Sequence, residues 1–277
     1  MYILFDIGGT NMRIACSKDG VEVDEPTTIS TLPDNFEKSI EEFYSAVQRL
    51  TGGQAIKAIA GGVPGSLDKE KTMLLTAPNL PDWNRQPLKE ELQQKLGASV
   101  YLENDTAMTG LGEATAGAGK GKGIVVYITV STGVGGCRIT NGEITSNARG
   151  FEPGHQIIDP EGPQCGCGGK GHLEAFIGGA ALERTHGAKP ETITDPAVWE
   201  QAAYYLALGL NNVLVFWSPH IIVLGGSVMK SINIDRVRHH LRNIVKIYTD
   251  LPPVELSLLG EKAGLIGALT YLKRQEI

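Results

Sequence analysis

Twice in this chain an apolar strand pattern runs into a short Gly/Thr turn and leaves as a second strand: "YILFDIGGTNMRIACS" at residues 2–17 and "GIVVYITVSTGVGGCRIT" at residues 123–140. Both flanks of each turn read as strand, so each unit predicts a β-hairpin. Two such units about 120 residues apart point to a duplicated architecture; the pattern alone also allows two unrelated hairpins. Between and after them, strands alternate with helices. "NFEKSIEEFYSAVQRL" carries Phe36, Ile40, Phe43, Val47 and Leu50 at helical spacing. "AIKAIAGGVPG" reads as a buried strand ending in a Gly/Pro turn. "PLKEELQQKLG" reads as a helix with Pro87 at its start and Gly97 at its end. "SVYLEND" is a strand whose polar end leads into the helix "TAMTGLGEATAG". Helical spacing resumes at Leu173, a long helix is predicted from about Pro196 to Phe216, "HIIVLGGSV" is a strand opening a further helix, and "AGLIGALTYLKRQ" is a last helix. Alternation of this kind implies an α/β fold, and no Ser/Pro-rich linker separates its parts.

Composition narrows the function classes. The net charge of −6 argues against a nucleic-acid surface. "MYILFDIGGT" lacks a basic leader and Asp6 breaks its apolar run, which does not fit a signal peptide. "AAYYLALGLNNVLVFW" is short for a membrane span and carries Asn211 and Asn212, so it is expected in a core. A cytoplasmic protein with no membrane partner is the expectation. The 35 glycines exceed the usual share of about 7% and gather in turns, where they let backbone approach a ligand.

Three turns have the chemistry of an anion site. "DIGGT" ends a strand in a carboxylate, Asp6, followed by two glycines and Thr10. Exposed backbone N–H groups there suit phosphate, and Asp6 suits Mg²⁺, directly or through water. The Gly-Lys-Ser/Thr of a Walker A loop is missing. "STGVGG" repeats the arrangement with Thr132 and Gly133. "VLGGS" is expected to open a helix, its Gly225–Gly226 pair leaving room for a base and ribose. Three such turns favour a nucleoside triphosphate over three ordinary tight turns. "LENDT" puts Asn104 and Asp105 at the strand-to-helix edge where open α/β sheets bind ligands. Asp105 fits two roles equally, a proton acceptor for an attacking hydroxyl and a helix N-cap.

"GHQIIDPEGPQCGCGGKGHLE" holds His155, Cys165, Cys167 and His172 in the pattern H-x9-C-x-C-x4-H. Imidazole and thiolate suit tetrahedral Zn²⁺, and four protein ligands would close the shell and make the metal structural. A disulfide between Cys165 and Cys167 would be strained and out of place in a reduced compartment. Cys16 and Cys137 lie in strand patterns and read as small core residues. His186, His220, His239 and His240 lack metal spacing.

The set "DIGGTN", "GVPG", "APNLPDW", "ENDT", "STGVGG", "FEPGH", "CGCGGKGHLE", "IIVLGG" and "AGLIGA" resembles the ROK family of sugar kinases and repressors nearly end to end. The resemblance implies the two-domain actin-like ATPase fold, with duplicated mixed sheets flanked by helices and a cleft. It implies a smaller domain of residues 1–108 plus about 263–277 and a larger one of about 109–262 carrying the zinc motif. It implies ATP with Mg²⁺ at Asp6, Gly8, Gly9, Thr10, Asn11, Thr132, Gly133, Gly225 and Gly226, and one structural Zn²⁺ at His155, Cys165, Cys167 and His172. The implied sugar positions are Gly65, Asn79, Asn104, Asp105, Glu152, His155 and Glu174, with Asp105 the base on a hexose 6-hydroxyl. "APNLPDW" and "AGLIGA" resemble the glucokinase branch most, making glucose the first substrate, with N-acetylmannosamine, N-acetylglucosamine or fructose as alternatives. A homodimer or homotetramer is implied too. The family's sugar-responsive repressors carry a DNA-binding segment ahead of the kinase-like part, whereas here the first strand follows Met1 directly, and that favours the enzyme. The chain departs from the family at His172, where a Cys is usual, at Ser131 and Cys137, where glycines are usual, and at Phe151, in place of a small residue.

Overall fold

The computed structural model describes residues 1–275, in two compact units. The first unit comprises residues 1–117, a short segment at 146–150, and the chain from Leu259 on. It opens with β1 (Tyr2–Ile7), β2 (Asn11–Ser17), β3 (Thr27–Ser30) and α1 (Phe36–Thr51). β4 (Ala58–Val63), a small ribbon of β5 (Ser66–Leu67) and β6 (Leu74–Thr76), α2 (Leu88–Leu96), β7 (Ser99–Asn104) and α3 (Asp105–Thr115) follow. The second unit, residues 118–145 and 151–258, contains β8 (Ile124–Val130), β9 (Val134–Thr140), β10 (Glu143–Ile144), α4 (Leu173–Ile177), α5 (Gly179–His186), α6 (Pro196–Trp217), β11 (Ile221–Gly225), α7 (Ile234–Ile244) and β12 (Val254–Leu256). The chain then re-enters the first unit as α8 (Ala263–Lys273). Positions 276 and 277 of the expected returning segment lie outside the described residues.

The duplication is visible in the strand order. The first unit's sheet runs β3-β2-β1-β4-β7 and the second's runs β10-β9-β8-β11-β12. Each has antiparallel pairs on the hairpin side and parallel pairs on the other. Parallel neighbours need a helical crossover, and α1, α2 and α7 supply such connections.

Local sequence explains most of these elements. α1 starts where the Asn35 side chain accepts the Lys38 N–H at 3.0 Å and stops at Gly52, in the left-handed region at φ 57°. Its stripe Phe36, Ile40, Phe43 and Val47 is buried against Ile3, Phe5 and Ile7 of β1, with the Phe5 and Phe43 rings edge-to-face at 5.3 Å. The alternate residue Leu4 faces the opposite side, packed with Met108 of α3 and Leu265 and Leu269 of α8. α3 and α8 approach closely through two glycines. A Cβ on Gly112 would lie 2.1 Å from the Ala263 carbonyl oxygen, and one on Gly267 would lie 1.8 Å from that of Met108. In the second unit, Leu206, Leu210 and Val213 of α6 share a core with Ile128, Val130, Ile222 and Leu224. No described helix is long and apolar enough to cross a membrane.

Two sequence expectations need correction. The segment from Leu173 is two short helices, because the chain breaks at Gly178. A Cβ there would stand 2.8 Å from the Glu174 carbonyl oxygen and 3.3 Å from that of Thr132. The "VLGGS" turn does not open an α-helix. Gly226 adopts φ 96°, after which residues 228–230 make one 3-10 turn and α7 waits for its own cap, Asn233. The Gly225–Gly226 turn therefore does not itself begin an α-helix.

Candidate active site

In the first unit the polar ends of β1, β4 and β7 carry the expected residues. Gly8 N–H donates to the Asn11 carbonyl at 2.8 Å, and Thr31 closes the same turn by donating from Oγ1 to Gly8 O and from its N–H to Thr10 O, each at 2.8 Å. A Cβ on Gly9 would come within 2.9 Å of Asn79 Cβ. The turn expected to face phosphate and the asparagine expected to face sugar are thus neighbours. Asp6 pairs across the hairpin with Arg13, whose Nη1 lies 3.8 Å from Asp6 Oδ2 and whose Nη2 lies 3.1 Å from Glu261. Loss of surrounding water pushes the Asp6 carboxyl up to about 6, with Arg13 acting in the opposite sense.

Asp105 is the first residue of α3, and Asn104 is its cap, so the N-cap role falls to the neighbour. Asn104 Oδ1 accepts the Ala107 N–H and its Nδ2 donates to Gly65 O, both at 3.1 Å. Gly65 holds φ 83°, and a Cβ there would sit 2.1 Å from the Thr76 carbonyl oxygen, so this turn admits glycine only. Asp105 Oδ1 accepts from Thr106 N at 2.6 Å, leaving Oδ2 free of that contact. Gly62 of β4 lets Asp105 in: a Cβ there would be 2.7 Å from Asp105 Cα. Loss of water, then the neighbouring Asp6 charge, raise the Asp105 carboxyl to about 7, against the pull of the Thr106 hydrogen bonds.

In the second unit the β8–β9 turn closes through Ser131 N to Gly133 O at 2.8 Å. It is clamped from below: Gly179 N–H donates to Ser131 O at 2.7 Å and Ala180 N–H to Thr132 O at 3.0 Å. Thr132 is exposed. Glu174 Oε2 accepts the Val134 N–H at 2.8 Å, and a Cβ on Gly133 would lie 2.4 Å from that oxygen. The Ser131 and Ser227 hydroxyls stand 3.1 Å apart and join this turn to Gly225–Gly226.

The expected metal ligands meet in one place. The ligand atoms of His155, Cys165, Cys167 and His172 all lie within 4.8 Å of one another. The two Nδ1 atoms are 3.4 Å apart, Cys165 Sγ is 3.8 Å from His155 Nδ1, and Cys167 Sγ is 3.3 Å from His172 Nδ1. A tetrahedral zinc with ordinary Zn–N and Zn–S bonds has N···N edges of about 3.3 Å and N···S edges of about 3.6 Å, so this donor set fits. Burial raises the Cys165 thiol above its ordinary range, which a divalent cation among the ligands would reverse. His155 turns Nε2 the other way, 4.0 Å from Glu152 Oε2, and Cys165 Sγ lies 3.8 Å from Glu174 Oε1. Glu152 and Glu174 therefore border the group formed by His155, Cys165, Cys167 and His172.

Two residues were not foreseen. Arg13 becomes the partner of Asp6 only through the β1–β2 register, and a hairpin read with its turn length could have found it. Ser227 needed the fold, since it joins Ser131 from 96 residues away.

Duplicated sheets with this strand order, each opening in a Gly/Thr hairpin turn, are those of the actin-like ATPase fold, as the solved structures below share. The chain belongs to the ROK family, whose pattern it matches over residues 2–275. It is 27% identical to a glucokinase of Thermotoga maritima, over 98% of this chain and 96% of that one. A ROK hexokinase from Thermus thermophilus superimposes with a TM-score of 0.88 at 31% identity, covering 100% of this chain and 99% of that one. A ROK family glucokinase from Streptomyces griseus in complex with glucose and AMPPNP gives a TM-score of 0.82 at 28% identity, covering 99% of each.

Proposed function

We propose that this protein transfers the γ-phosphoryl group of ATP to the 6-hydroxyl of a hexose, with glucose as the first substrate. The observation that carries the reading is Asp105: a recessed carboxyl at about 7, held at a strand end by its capped neighbour, with one oxygen free of the Thr106 contacts. A base near neutrality suits abstraction of a hydroxyl proton as the oxygen attacks phosphorus. In that step the 6-hydroxyl proton passes to Asp105, the oxygen bonds to the γ-phosphorus, and the bond to the leaving ADP oxygen breaks. Mg²⁺, when bound through Asp6 or its water, would neutralise the charge that develops on the phosphates.

Gly8, Gly9, Thr10, Asn11, Thr132 and Gly133 are assigned to phosphate, and Gly225 and Gly226 to the nucleoside. Asn79, Asn104, Glu152, His155 and Glu174 are assigned to sugar hydroxyls, with Gly65 shaping the turn. Carboxylates and amides suit a polyol because each offers paired acceptors or donors to adjacent hydroxyls. Zinc held by His155, Cys165, Cys167 and His172 would do no chemistry. By taking His155 Nδ1 it would leave the proton on Nε2, a fixed donor beside Glu152. The relatives named above, with the bound glucose and AMPPNP of one of them, support the substrate and donor. A cytoplasmic homodimer or homotetramer belongs to the same reading, on the family resemblance alone.

Purified protein with ATP, Mg²⁺ and a panel of hexoses and N-acetylhexosamines tests it by ADP release. Glucose is expected to give the highest kcat/KM. A better N-acetylmannosamine or N-acetylglucosamine would move the substrate assignment. Sugar binding with no turnover on any of them would overturn the kinase reading in favour of a regulator.

A further inference from the structure

We propose that Lys71, Glu103 and Tyr271 form a positioning cluster that fixes the Asn104 backbone and, through it, the direction of the Asp105 carboxyl. The proposal rests on Asp105 acting as the base. Glu103 is buried, its side chain 9% exposed, and a carboxylate so placed persists only where both oxygens find partners. Both do. Oε1 accepts the N–H of Asn104 at 2.9 Å, and Oε2 makes an ion pair with the Lys71 ammonium.

Lys71 reaches that position from a backbone that a non-glycine residue rarely adopts, with φ 52°. The turn that carries it is built for the purpose. Lys71 N–H donates to Asp68 O at 3.0 Å, and the Asp68 carboxylate accepts from Thr72 N at 2.5 Å and Met73 N at 2.8 Å. On the far side, Lys71 Nζ lies 5.8 Å from the centre of the Tyr271 ring of α8. Three segments far apart in sequence thus meet around the Lys71–Glu103 pair, whose free carboxylate oxygen holds the Asn104 amide.

That amide decides where the base points. Asn104 is the cap of α3 and Asp105 is its first residue. The ψ of Asn104, 140°, carries the chain out of β7 and turns it into the helix. A shift of the Asn104 N–H is passed to Asp105 over a single residue, with no flexible side chain to absorb it. Glu103 and Lys71 act on the Asp105 carboxyl through the backbone of Asn104, where small misplacements cost large factors in rate.

The test uses the full chain with Lys71→Met and Lys71→Arg, since Lys71 is part-exposed and its truncation opens no core cavity. Glu103→Gln serves as a third variant that keeps an acceptor for Asn104. Lys71→Met is expected to lower kcat by about tenfold while the sugar KM stays within about twofold, and Lys71→Arg is expected to recover most of the loss. Amide hydrogen exchange is read in parallel, and Asn104, Thr106 and Ala107 should exchange faster in Lys71→Met than in the parent. A fall in thermal stability with unchanged kcat and unchanged exchange at these amides would overturn the proposal. If the parent chain turned over no sugar, the proposed function would fail, and the exchange measurement would still decide whether the cluster holds Asn104.

Discussion

Asp105→Asn should separate two effects that ordinary active-site variants confound. The carboxyl rises from an ordinary value of 3.8 to about 7 in the folded chain. A carboxyl raised on folding binds more protons in the native than in the unfolded state between those two values. Stability contributed by the group is therefore complete below about pH 3.8 and is lost as pH rises towards 7. About three pH units at roughly 1.36 kcal/mol each set a ceiling of about 4 kcal/mol by pH 8, part of it shared with Asp6. Asparagine removes the charge and keeps an oxygen to accept the Thr106 N–H. The variant should therefore unfold at a higher temperature than the parent at pH 8, by several degrees, and the gap should close as pH falls towards 4. Turnover should be lost at every pH, while sugar binding by calorimetry stays largely intact. In the parent, kcat/KM should rise with pH through about 7 as the base ionises. Two melting curves that stay parallel from pH 4 to pH 8 would refute the account of a desolvated carboxyl, and retained turnover would refute its role as base.

Three further outcomes follow from the second unit's Cys/His group and from the helix crossing of the first. Replacing Cys165 or Cys167 by Ser should remove the metal, from about one zinc per chain by elemental analysis, and raise the sugar KM before the ATP KM; His172→Cys should keep the metal, because a thiolate fits the same tetrahedral corner. Gly267→Ala should destabilise by about 3 kcal/mol or more, since its Cβ would meet the Met108 carbonyl oxygen at 1.8 Å; denaturant unfolding reads the loss, and a change under 1 kcal/mol would mean the two helices separate at little cost.

The parts of the fold legible in the sequence were those set by local chemistry. The two hairpins followed from alternation broken by Gly/Thr, and α1 from the stripe Phe36, Ile40, Phe43, Val47 and Leu50, its caps Asn35 and Gly52 becoming plain in the fold. That His155, Cys165, Cys167 and His172 would gather was legible because Cys and His are rare and four of them fall in one short stretch. What stayed hidden was set by pairing. Arg13 faces Asp6 through register, and Lys71 finds Glu103 from 32 residues away. Gly178 and Gly226 looked compatible with helix on spacing alone. Their roles came from tertiary neighbours: the Thr132 carbonyl for one, the Val130 carbonyl, 2.2 Å from a Cβ on Gly226, for the other. Which turn residues face a ligand was suggested by their types, while the clamp from Gly179 and Ala180 beneath Ser131 and Thr132 needed the fold.

The return of α8 to the first unit has a consequence for synthesis on the ribosome. Gly264 lies against the Asp6 carboxyl, where a Cβ would be 3.3 Å from Cγ, and Gly267 lies against α3, the helix that Asp105 begins. The surroundings of Asp6, and the packing of the helix that Asp105 begins, are thus incomplete until α8 has been made. The intervening stretch from 118 to 258 is translated first, a delay of very roughly 10–30 s at ordinary elongation rates. During that time the nascent chain has its β1–β2 hairpin and α3 but lacks the helix that packs against both. Synthesis order therefore places completion of the first unit after the whole of the second.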